Sequence, residues 1–224
     1  MEQYFEIILS NPLFAGISAE ELASMLNCLN ARMVRTVKGE PVFLEGDPAG
    51  FIGLVLEGSV QIVRDDYYGE RTMLAHAEPG DIFGEAYSCA GVDTMPVSAY
   101  AQRSGKVVMF DVRKMLTVCS NVCGFHNRLV KNLLQVVARK NLTLSRKIQF
   151  MSRKTTREKL MAYLLDQAKQ KKSAEFTIPL DRQSLADFLG VERSAMSAEL
   201  GKLRRAGVLE CKGSWFRLLE SEDV

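Results

Sequence analysis

The stretch DRQSLADFLGVERSAMSAELGKLRRAG, residues 181–207, decides the fold of the C-terminal part of the chain. Apolar residues recur at helical spacing on both sides of Gly190, which has no side chain and permits a left-handed backbone in a tight turn. Two short helices joined by such a turn form a helix-turn-helix, which we place at about residues 182–205. The residues predicted to bury the two helices against each other are Leu185, Ala186, Leu189, Met196, Leu200 and Leu203.

The exposed face of the second helix indicates what this motif binds. Arg193, at its start, can form a bidentate contact with guanine, and the hydroxyls of Ser194 and Ser197 can serve bases or phosphates. The alternative is that Arg193 is exposed to solvent and contacts no base. Other polar residues are interpreted as contacts to the DNA backbone, which position a protein without specifying a sequence. They are Gln183, Ser184, Lys202, Arg204, Arg205 and Lys212.

Residues 208–219 follow as two predicted strands that turn at Lys212-Gly213-Ser214. A strand pair directly after such helices is typical of the wing of a winged helix-turn-helix. The alternative is a helical pair with a purely structural role. We assign residues 152–224 to a DNA-binding domain.

Between Met33 and Val112 the pattern changes, because ten glycines punctuate short runs rich in Val, Ile and aromatic residues. Turn signals at this spacing are typical of an all-β sandwich or barrel, and 51–56 and 60–63 are among its predicted strands. Upstream, Ser18-Ala19-Glu20-Glu21 has the form of a capping box at the start of a short helix. We assign residues 1–117 to this β-domain.

A single long helix is predicted for residues 118–151, where Pro is absent and Gly124 is the last glycine. Its apolar residues step by three or four, so they form a stripe along the helix. The expected partner of this stripe is the same helix of a second copy in a two-fold dimer. The alternative is that the helix packs wholly on its own β-domain. The stripe consists of Leu129, Leu133, Val136, Val137, Leu144, Ile148 and Met151.

Charge is distributed unevenly along the chain, although its net value is only +2. Residues 1–111 carry 7 basic and 16 acidic residues, residues 112–157 carry 11 basic residues and no acid, and residues 158–224 carry 11 of each. A basic block indicates nucleic acid or another acidic surface. It could equally neutralise the acidic domain beside it.

Composition excludes several classes of protein. The chain has 224 residues, of which 47% are hydrophobic and 25% charged, as in globular proteins. No stretch approaches the roughly 18 apolar residues of a membrane span, and Glu2 and Glu6 stand where a signal peptide would be basic. Five cysteines do not indicate a disulfide framework, so we expect a cytoplasmic protein without a membrane partner.

One further segment points to a family. Gly84-Glu85 opens a short predicted helix that returns to a strand by Val97, which resembles the phosphate-binding cassette of cyclic-nucleotide-binding domains. With the long helix and the winged helix-turn-helix, the chain resembles the CRP/FNR superfamily of bacterial transcription regulators over nearly its whole length. The resemblance implies an α+β fold, in which an N-terminal double-stranded β-helix (β-roll) precedes a long dimerisation helix and a C-terminal winged helix-turn-helix.

The resemblance also implies a function. We expect an effector-responsive homodimer that binds double-stranded DNA at a two-fold-related site, with RNA polymerase as a partner. In cyclic-AMP receptors, an Arg-Ser pair follows the Glu of the cassette by ten residues, and its Arg holds the cyclic phosphate. Here these positions are Met95-Pro96. Because a buried phosphate without a cationic partner is costly, we expect the effector not to be cyclic AMP.

The same resemblance places an effector pocket between the β-roll and the long helix. Its predicted lining is largely apolar, which favours a small organic molecule, as in superfamily members that bind halogenated phenols. The lining consists of Tyr67, Met73, Phe83, Gly84, Glu85, Tyr87, Met95, Pro96, Val97, Leu142 and Thr143.

Cys119, Cys123 and His126 form a second candidate sensor site. On a helix, residues spaced by four and three share one face, which can hold a metal or present two thiols for oxidation. The alternative is that they are small buried residues. The iron–sulfur members carry an N-terminal cysteine cluster, where this chain has only Cys28. Haem-binding members use His, Cys or a terminal nitrogen as axial ligands, and here either His76 or His126 could serve. A redox, metal or haem sensor of the same fold therefore stays an alternative, and no cofactor is assigned.

Two other classes of function fit the sequence less well. A cupin-like enzyme needs a metal held by two or three histidines and a carboxylate, and the chain has only two histidines. A cyclic-nucleotide sensor that acts on a protein partner would not need a helix-turn-helix. We therefore expect a regulator and not an enzyme.

Overall fold

The computed structural model of the chain describes residues 1–68, 70–117 and 124–219. The chain divides into two compact units, Met1–Arg139 and Lys140–Val224. Besides two short 3-10 helices, the first unit contains the elements α1 (Phe5–Ser10), α2 (Ala19–Cys28), β1 (Arg32–Thr36), β2 (Pro41–Phe43), β3 (Phe51–Asp65), β4 (Arg71–Ala77), β5 (Ile82–Phe83), α3 (Glu85–Ala90), β6 (Ser98–Asp111), α4 (Val112–Leu116) and the first part of α5 (Gly124–Met151).

The strands of the first unit form one six-stranded antiparallel sheet, the β-roll. Its order is β1-β6-β3-β4, with β2 on β6 and β5 on β3. The two strands predicted at 51–56 and 60–63 are one strand, β3, whose register against β6 shifts around Gly58. Gly58 has φ +80°, and a Cβ on Gly105 would lie 2.0 Å from the Glu57 carbonyl oxygen. The glycines therefore bend the pair of strands instead of ending them.

Two apolar cores hold the first unit together. One lies within the sheet and contains Val55, Phe83 and Val97. The other joins the helices to the sheet, and it includes Leu129, which is fully buried, and Leu133, which is 3% exposed. These two leucines therefore pack against their own domain and do not belong to an exposed dimer stripe. Val136 and Val137 are partly buried against the same core.

Polar contacts fix the N-terminal helices. The capping box predicted at the start of α2 is confirmed, because Ser18 accepts from the Glu21 backbone N–H at 3.1 Å and Glu21 accepts from the Ser18 backbone N–H at 2.9 Å. The Tyr4 hydroxyl donates to Glu57 Oε1 at 2.5 Å, and Lys106 Nζ donates to the same hydroxyl at 2.6 Å. This group ties the start of the chain to β3 and β6.

The second unit contains the rest of α5 and a helical domain with a small sheet. Its sheet has the order β7-β9-β8 and is antiparallel, so the predicted two-stranded wing is present and gains a third strand. Gly213, with φ +58°, lies in the wing turn. Its further elements are α6 (Thr156–Lys171), β7 (Glu175–Thr177), α7 (Arg182–Leu189), α8 (Arg193–Arg205), β8 (Leu209–Lys212) and β9 (Trp215–Leu218).

The core of the second unit confirms the burial expected for the helix-turn-helix. All six residues predicted to bury α7 and α8 are buried, and they share one apolar cluster with Phe176 and Phe216 from the sheet. Toward the C-terminal end of α5, Leu144, Ile148 and Met151 are exposed, unlike Leu129 and Leu133. Within the described ranges, no helix is long and apolar enough to cross a membrane.

Candidate DNA-recognition surface and sensor cassette

The turn between α7 and α8 is fixed by local backbone geometry. Gly190 ends α7 in the left-handed conformation, with φ +60°. The Val191 backbone N–H then donates to the Ala186 carbonyl at 3.0 Å, so the chain reverses tightly before α8 begins. The left-handed Gly190 and this hydrogen bond together form a helix C-terminal cap of the kind that glycine favours.

Carboxylates cap the N-termini of both helices. Asp181 Oδ1 accepts from the Ser184 backbone N–H at 2.7 Å at the start of α7. At the start of α8, Glu192 accepts from the backbone N–H groups of Ser194 at 3.3 Å and Ala195 at 3.2 Å. Hydrogen bonds from Ser184 lower the pKa of Asp181, and those from Ser194, its hydroxyl first, lower the pKa of Glu192. Both caps therefore favour the charged form.

The three residues predicted to read bases lie together on α8. Arg193, Ser194 and Ser197 are exposed on its first two turns. The Ser194 hydroxyl, however, donates to Glu192 Oε2, so its hydrogen is already engaged. The carboxylate of Glu192 therefore belongs to this surface, although it was not predicted from the sequence.

Residues predicted to contact the DNA backbone fall into two groups. Arg204, Arg205 and Lys212 line clefts beside α8. Gln183, Ser184 and Lys202 are exposed but already engaged with the protein. The Gln183 side chain donates to Asp187 at 2.9 Å, and Lys202 pairs with Glu199 at 3.2 Å.

A cleft of about 520 Å³ lies between α8 and the wing. Arg182, which sequence reasoning missed, lines it and lies over the Phe216 ring, with 4.9 Å between Cζ and the ring centroid. Its Nη1 atom is buried and has no hydrogen-bond partner among the described residues. The cleft is lined by Arg182, Ser197, Leu200, Gly201, Arg204, Cys211, Lys212 and Gly213.

The cassette of the first unit is built on Gly84. This glycine has φ +80° and precedes α3, whose first residue, Glu85, is buried. The Ser88 hydroxyl donates to the Phe51 carbonyl at 2.8 Å and so fixes α3 to β3. Met95 is 3% exposed, and its Cε lies 3.3 Å from the position of a Cβ on Gly84. The thioether side chain therefore fills the space next to this glycine.

The structure assembles only part of the predicted effector pocket. Phe83 and Val97 are buried in the core of the β-roll, and Tyr87 is partly buried against it. Tyr67 and Met73 are instead 97% and 61% exposed. Tyr67 lies in the turn after β3, and Met73 lies on the edge strand β4, where every residue but Ala77 is exposed.

Three other pocket residues are also exposed. Pro96 is exposed beside the buried Met95. Leu142 and Thr143 lie on α5 in the second unit, where both are exposed.

The second candidate sensor site lies largely outside the described residues, which do not include Cys119 and Cys123. His126 is described and buried, near the start of α5, with its ring 5.6 Å from that of Phe125. Among the described residues, no group of three or more His, Cys, Asp or Glu side chains is placed to hold a metal ion. A redox or metal role of this segment stays a prediction.

Comparison with known families follows the division of the chain. Residues 33–122 match the family model of the cyclic nucleotide-binding domain, and residues 158–222 match that of the Crp-like helix-turn-helix domain. The chain belongs to the CRP/FNR superfamily of transcription regulators. Its α+β fold and its function as an effector-responsive, DNA-binding transcription regulator are those expected from the sequence.

Individual relatives of this CRP/FNR regulator match most of its length. It is 26% identical to the cyclic AMP receptor protein of Thermus thermophilus over 203 residues, 89% of this chain and 88% of the relative. It is 28% identical to the nitrogen fixation regulation protein FixK of Bradyrhizobium diazoefficiens over 205 residues, 86% of this chain and 80% of the relative. The crystal structure of Thermus thermophilus catabolite activator protein shares 25% identity and a TM-score of 0.50, with 94% of each chain covered.

Proposed function

We propose that this regulator works as a homodimer on a two-fold-related DNA site, with α8 in the major groove and the cleft beside the wing against the phosphate backbone. The observation that carries the proposal is the position of Arg193. It is exposed at the start of α8, the end of a recognition helix that contacts base edges. The protein acts through this contact and not as a catalyst.

The cleft supplies the positive charge that a phosphate track needs. Arg182, Arg204 and Lys212 all line it. Because Arg182 lines the cleft together with Arg204 and Lys212, its guanidinium charge attracts a phosphate oxygen that lies there. Contacts of this kind supply most of the affinity for DNA and make it fall with salt.

Dimerisation uses the exposed apolar residues of α5. Leu144, Ile148 and Met151 are spaced by four and three residues, which places them on one face of the helix. A second copy that covers this face in a two-fold dimer would place two copies of α8 about 34 Å apart, one turn of DNA. Regulators of this superfamily bind DNA as dimers and contact RNA polymerase. The same dimer, the same contact with RNA polymerase and a cytoplasmic location are proposed for this protein.

The effector that the β-roll recognises is not a cyclic nucleotide. Met95 replaces the cation that would hold a cyclic phosphate, and it is buried next to Gly84. Phe83 and Val97 add to the apolar side chains within the β-roll. An apolar organic effector fits these side chains better than a charged one does.

Binding of the full-length protein to double-stranded DNA tests the proposal. We expect saturable binding to duplexes recovered by selection from a random library, with an affinity that falls steeply as salt rises. Arg182→Ala should weaken binding to every duplex and reduce the number of counterions released on binding, measured from the salt dependence of the affinity, by about one. Lys169→Ala removes one positive charge from an exposed site on α6, outside the cleft, and should change neither. If the two variants had equal effects, the proposed contact between the cleft and the DNA phosphates would be contradicted.

A further inference from the structure

The first turn of the recognition helix carries a negative charge at the place where a helix normally attracts an anion. Helix N-termini bind phosphates because their first backbone N–H groups have no partner within the helix. In α8, the carboxylate of Glu192 accepts from two of these groups, at Ser194 and Ala195, and from the Ser194 hydroxyl. A DNA phosphate at this end would meet a charge of its own sign.

The neighbouring helix has the same arrangement. Asp181 caps α7 through the Ser184 backbone N–H, and Arg193 acts electrostatically on this carboxylate. Arg193 therefore belongs to a surface with two carboxylates and is not part of a purely basic patch. A surface of mixed charge suits base edges, which present both donors and acceptors, better than it suits the uniformly negative backbone.

The carboxylate of Glu192 can accept one more hydrogen bond. A carboxylate has about four acceptor positions on its two oxygens. Oε2 accepts from the Ala195 N–H and the Ser194 hydroxyl, whereas Oε1 accepts only from the Ser194 N–H, and the residue is exposed. The group that satisfies Oε1 must be a donor.

The major groove offers two such donors, the N4 amino group of cytosine and the N6 amino group of adenine. In adenine, the N7 acceptor lies next to the amino group and would repel a carboxylate. In cytosine, the amino group is the only polar group on the major-groove edge. Electrostatics therefore favours cytosine.

We propose that Glu192 is a specificity-determining residue whose Oε1 accepts a hydrogen bond from the N4 amino group of a cytosine in each half-site. This proposal rests on the proposed binding of α8 in the major groove. The contact lies beside the one that Arg193 would make with guanine. The charge of Glu192 also disfavours a shift of the N-terminal end of α8 onto the DNA backbone, because the carboxylate would then face a phosphate.

The test starts from duplexes that the full-length wild-type protein selects from a random library. Glu192→Ser keeps a helix-capping side chain and removes the charge. Asp181→Ser makes the same kind of change at the cap of α7 and is the matched control. Each protein is titrated by fluorescence anisotropy against the selected duplex, and against duplexes in which one C·G pair of the half-site is changed to T·A. Thermal melting followed by circular dichroism checks that both variants fold.

For the wild type, one position should show a cytosine preference of about tenfold to a hundredfold over thymine, because thymine presents an acceptor in place of the amino group. Glu192→Ser should lose that preference and bind unrelated duplexes more tightly, whereas Asp181→Ser should keep it. If Glu192→Ser folds and retains the same preference, or if the selected sites contain no such cytosine, the proposal is wrong. Failure of the wild type to bind any duplex saturably would instead contradict the proposed function.

Discussion

Met95 and Gly84 are in close contact across the cassette, where the Met95 Cε lies 3.3 Å from the position of a Cβ on Gly84. Gly84 has φ +80°, a conformation that favours glycine. A Cβ at residue 84 would therefore crowd the end of the Met95 side chain. The contact makes Met95 a structural part of the β-roll.

Truncation of this methionine should destabilise the protein. Met95→Ala leaves a cavity beside Gly84, and buried Met→Ala changes cost about 2–5 kcal/mol. We expect a loss of this size in the free energy of unfolding measured with urea. Met33→Ala, at a methionine that is exposed on β1, is the matched control and should change stability by no more than about 0.5 kcal/mol. Similar losses in the two variants would show that Met95 does not fill the cassette.

The same side chain should exclude cyclic nucleotides. The wild-type protein titrated with cyclic AMP in a calorimeter should give no saturable heat, because the phosphate would be buried against a thioether without a charged partner. The Arg-Ser pair of cyclic-AMP receptors can be introduced by Met95→Arg with Pro96→Ser, and a gain of binding in that variant would support the role assigned to this position. Saturable binding to the wild type would contradict the proposed exclusion.

Features of the fold could be predicted from the sequence where the residues that determine them are close together in the chain. The capping box of Ser18 and Glu21 and the turn at Gly190 each rest on residues a few positions apart, and the structure has both. The stripe of α5 was different. Apolar residues at 129 and 133 and at 130 and 134 have the same spacing on two adjacent faces. Only packing against the β-roll shows that Leu129 and Leu133 are the buried pair.

Two features of the candidate sites also required the folded structure. Tyr67 and Met73 resemble pocket residues in composition, but they are exposed because one lies in a turn and the other on the edge strand of the sheet. Glu192 could not be predicted as part of this surface, because the side chains expected to contact DNA are basic or carry hydroxyls. An Asp, Ser, Thr or Asn at such a position is the usual N-cap signal, and a Glu acting as the cap is not expected from that rule.

A charge in the exposed stripe of α5 should prevent dimerisation. Ile148 is 67% exposed on α5. Ile148→Glu places like charges opposite each other if two copies meet there, so we expect a monomer by analytical ultracentrifugation where the wild type is a dimer. Leu165→Glu, at an exposed leucine on α6, is the control and should leave the dimer intact. A dimeric Ile148→Glu protein would show that the copies do not associate through this face.

Arg193 and Lys212 should have different roles in DNA binding. Arg193→Ala should weaken binding to the selected site by about 1–3 kcal/mol and relax the preference for guanine, while binding to unrelated DNA changes little. Lys212→Ala should weaken binding to all sequences similarly. It should also lower the magnitude of the slope of log affinity against log salt concentration by about one. Titrations at several salt concentrations distinguish the two. If Arg193→Ala reduces specific and non-specific affinity equally, Arg193 contacts phosphate only.

Glu57 should make the stability of the β-roll depend on pH. The hydrogen bond from Tyr4, with help from Lys106, holds the pKa of Glu57 below its ordinary value of 4.5. A carboxyl group whose pKa is lower in the folded state stabilises it above the unfolded pKa, and this contribution is lost as the pH falls through the folded pKa. The difference in melting temperature between wild type and Glu57→Gln should therefore be constant near pH 7 and shrink below about pH 4.5.

Tyr4→Phe supplies the control for this dependence, because it removes the hydroxyl that donates to Glu57 Oε1 and leaves the aromatic ring in the core. In the Tyr4→Phe background, the pKa of Glu57 should return toward its ordinary value. The stabilisation that Glu57 contributes should then be smaller at pH 7. As the pH falls below the unfolded pKa, its loss should be complete at a higher pH than in the wild type, because the folded pKa is higher. Identical pH profiles with and without the hydroxyl would show that Lys106 alone holds Glu57 in its charged form.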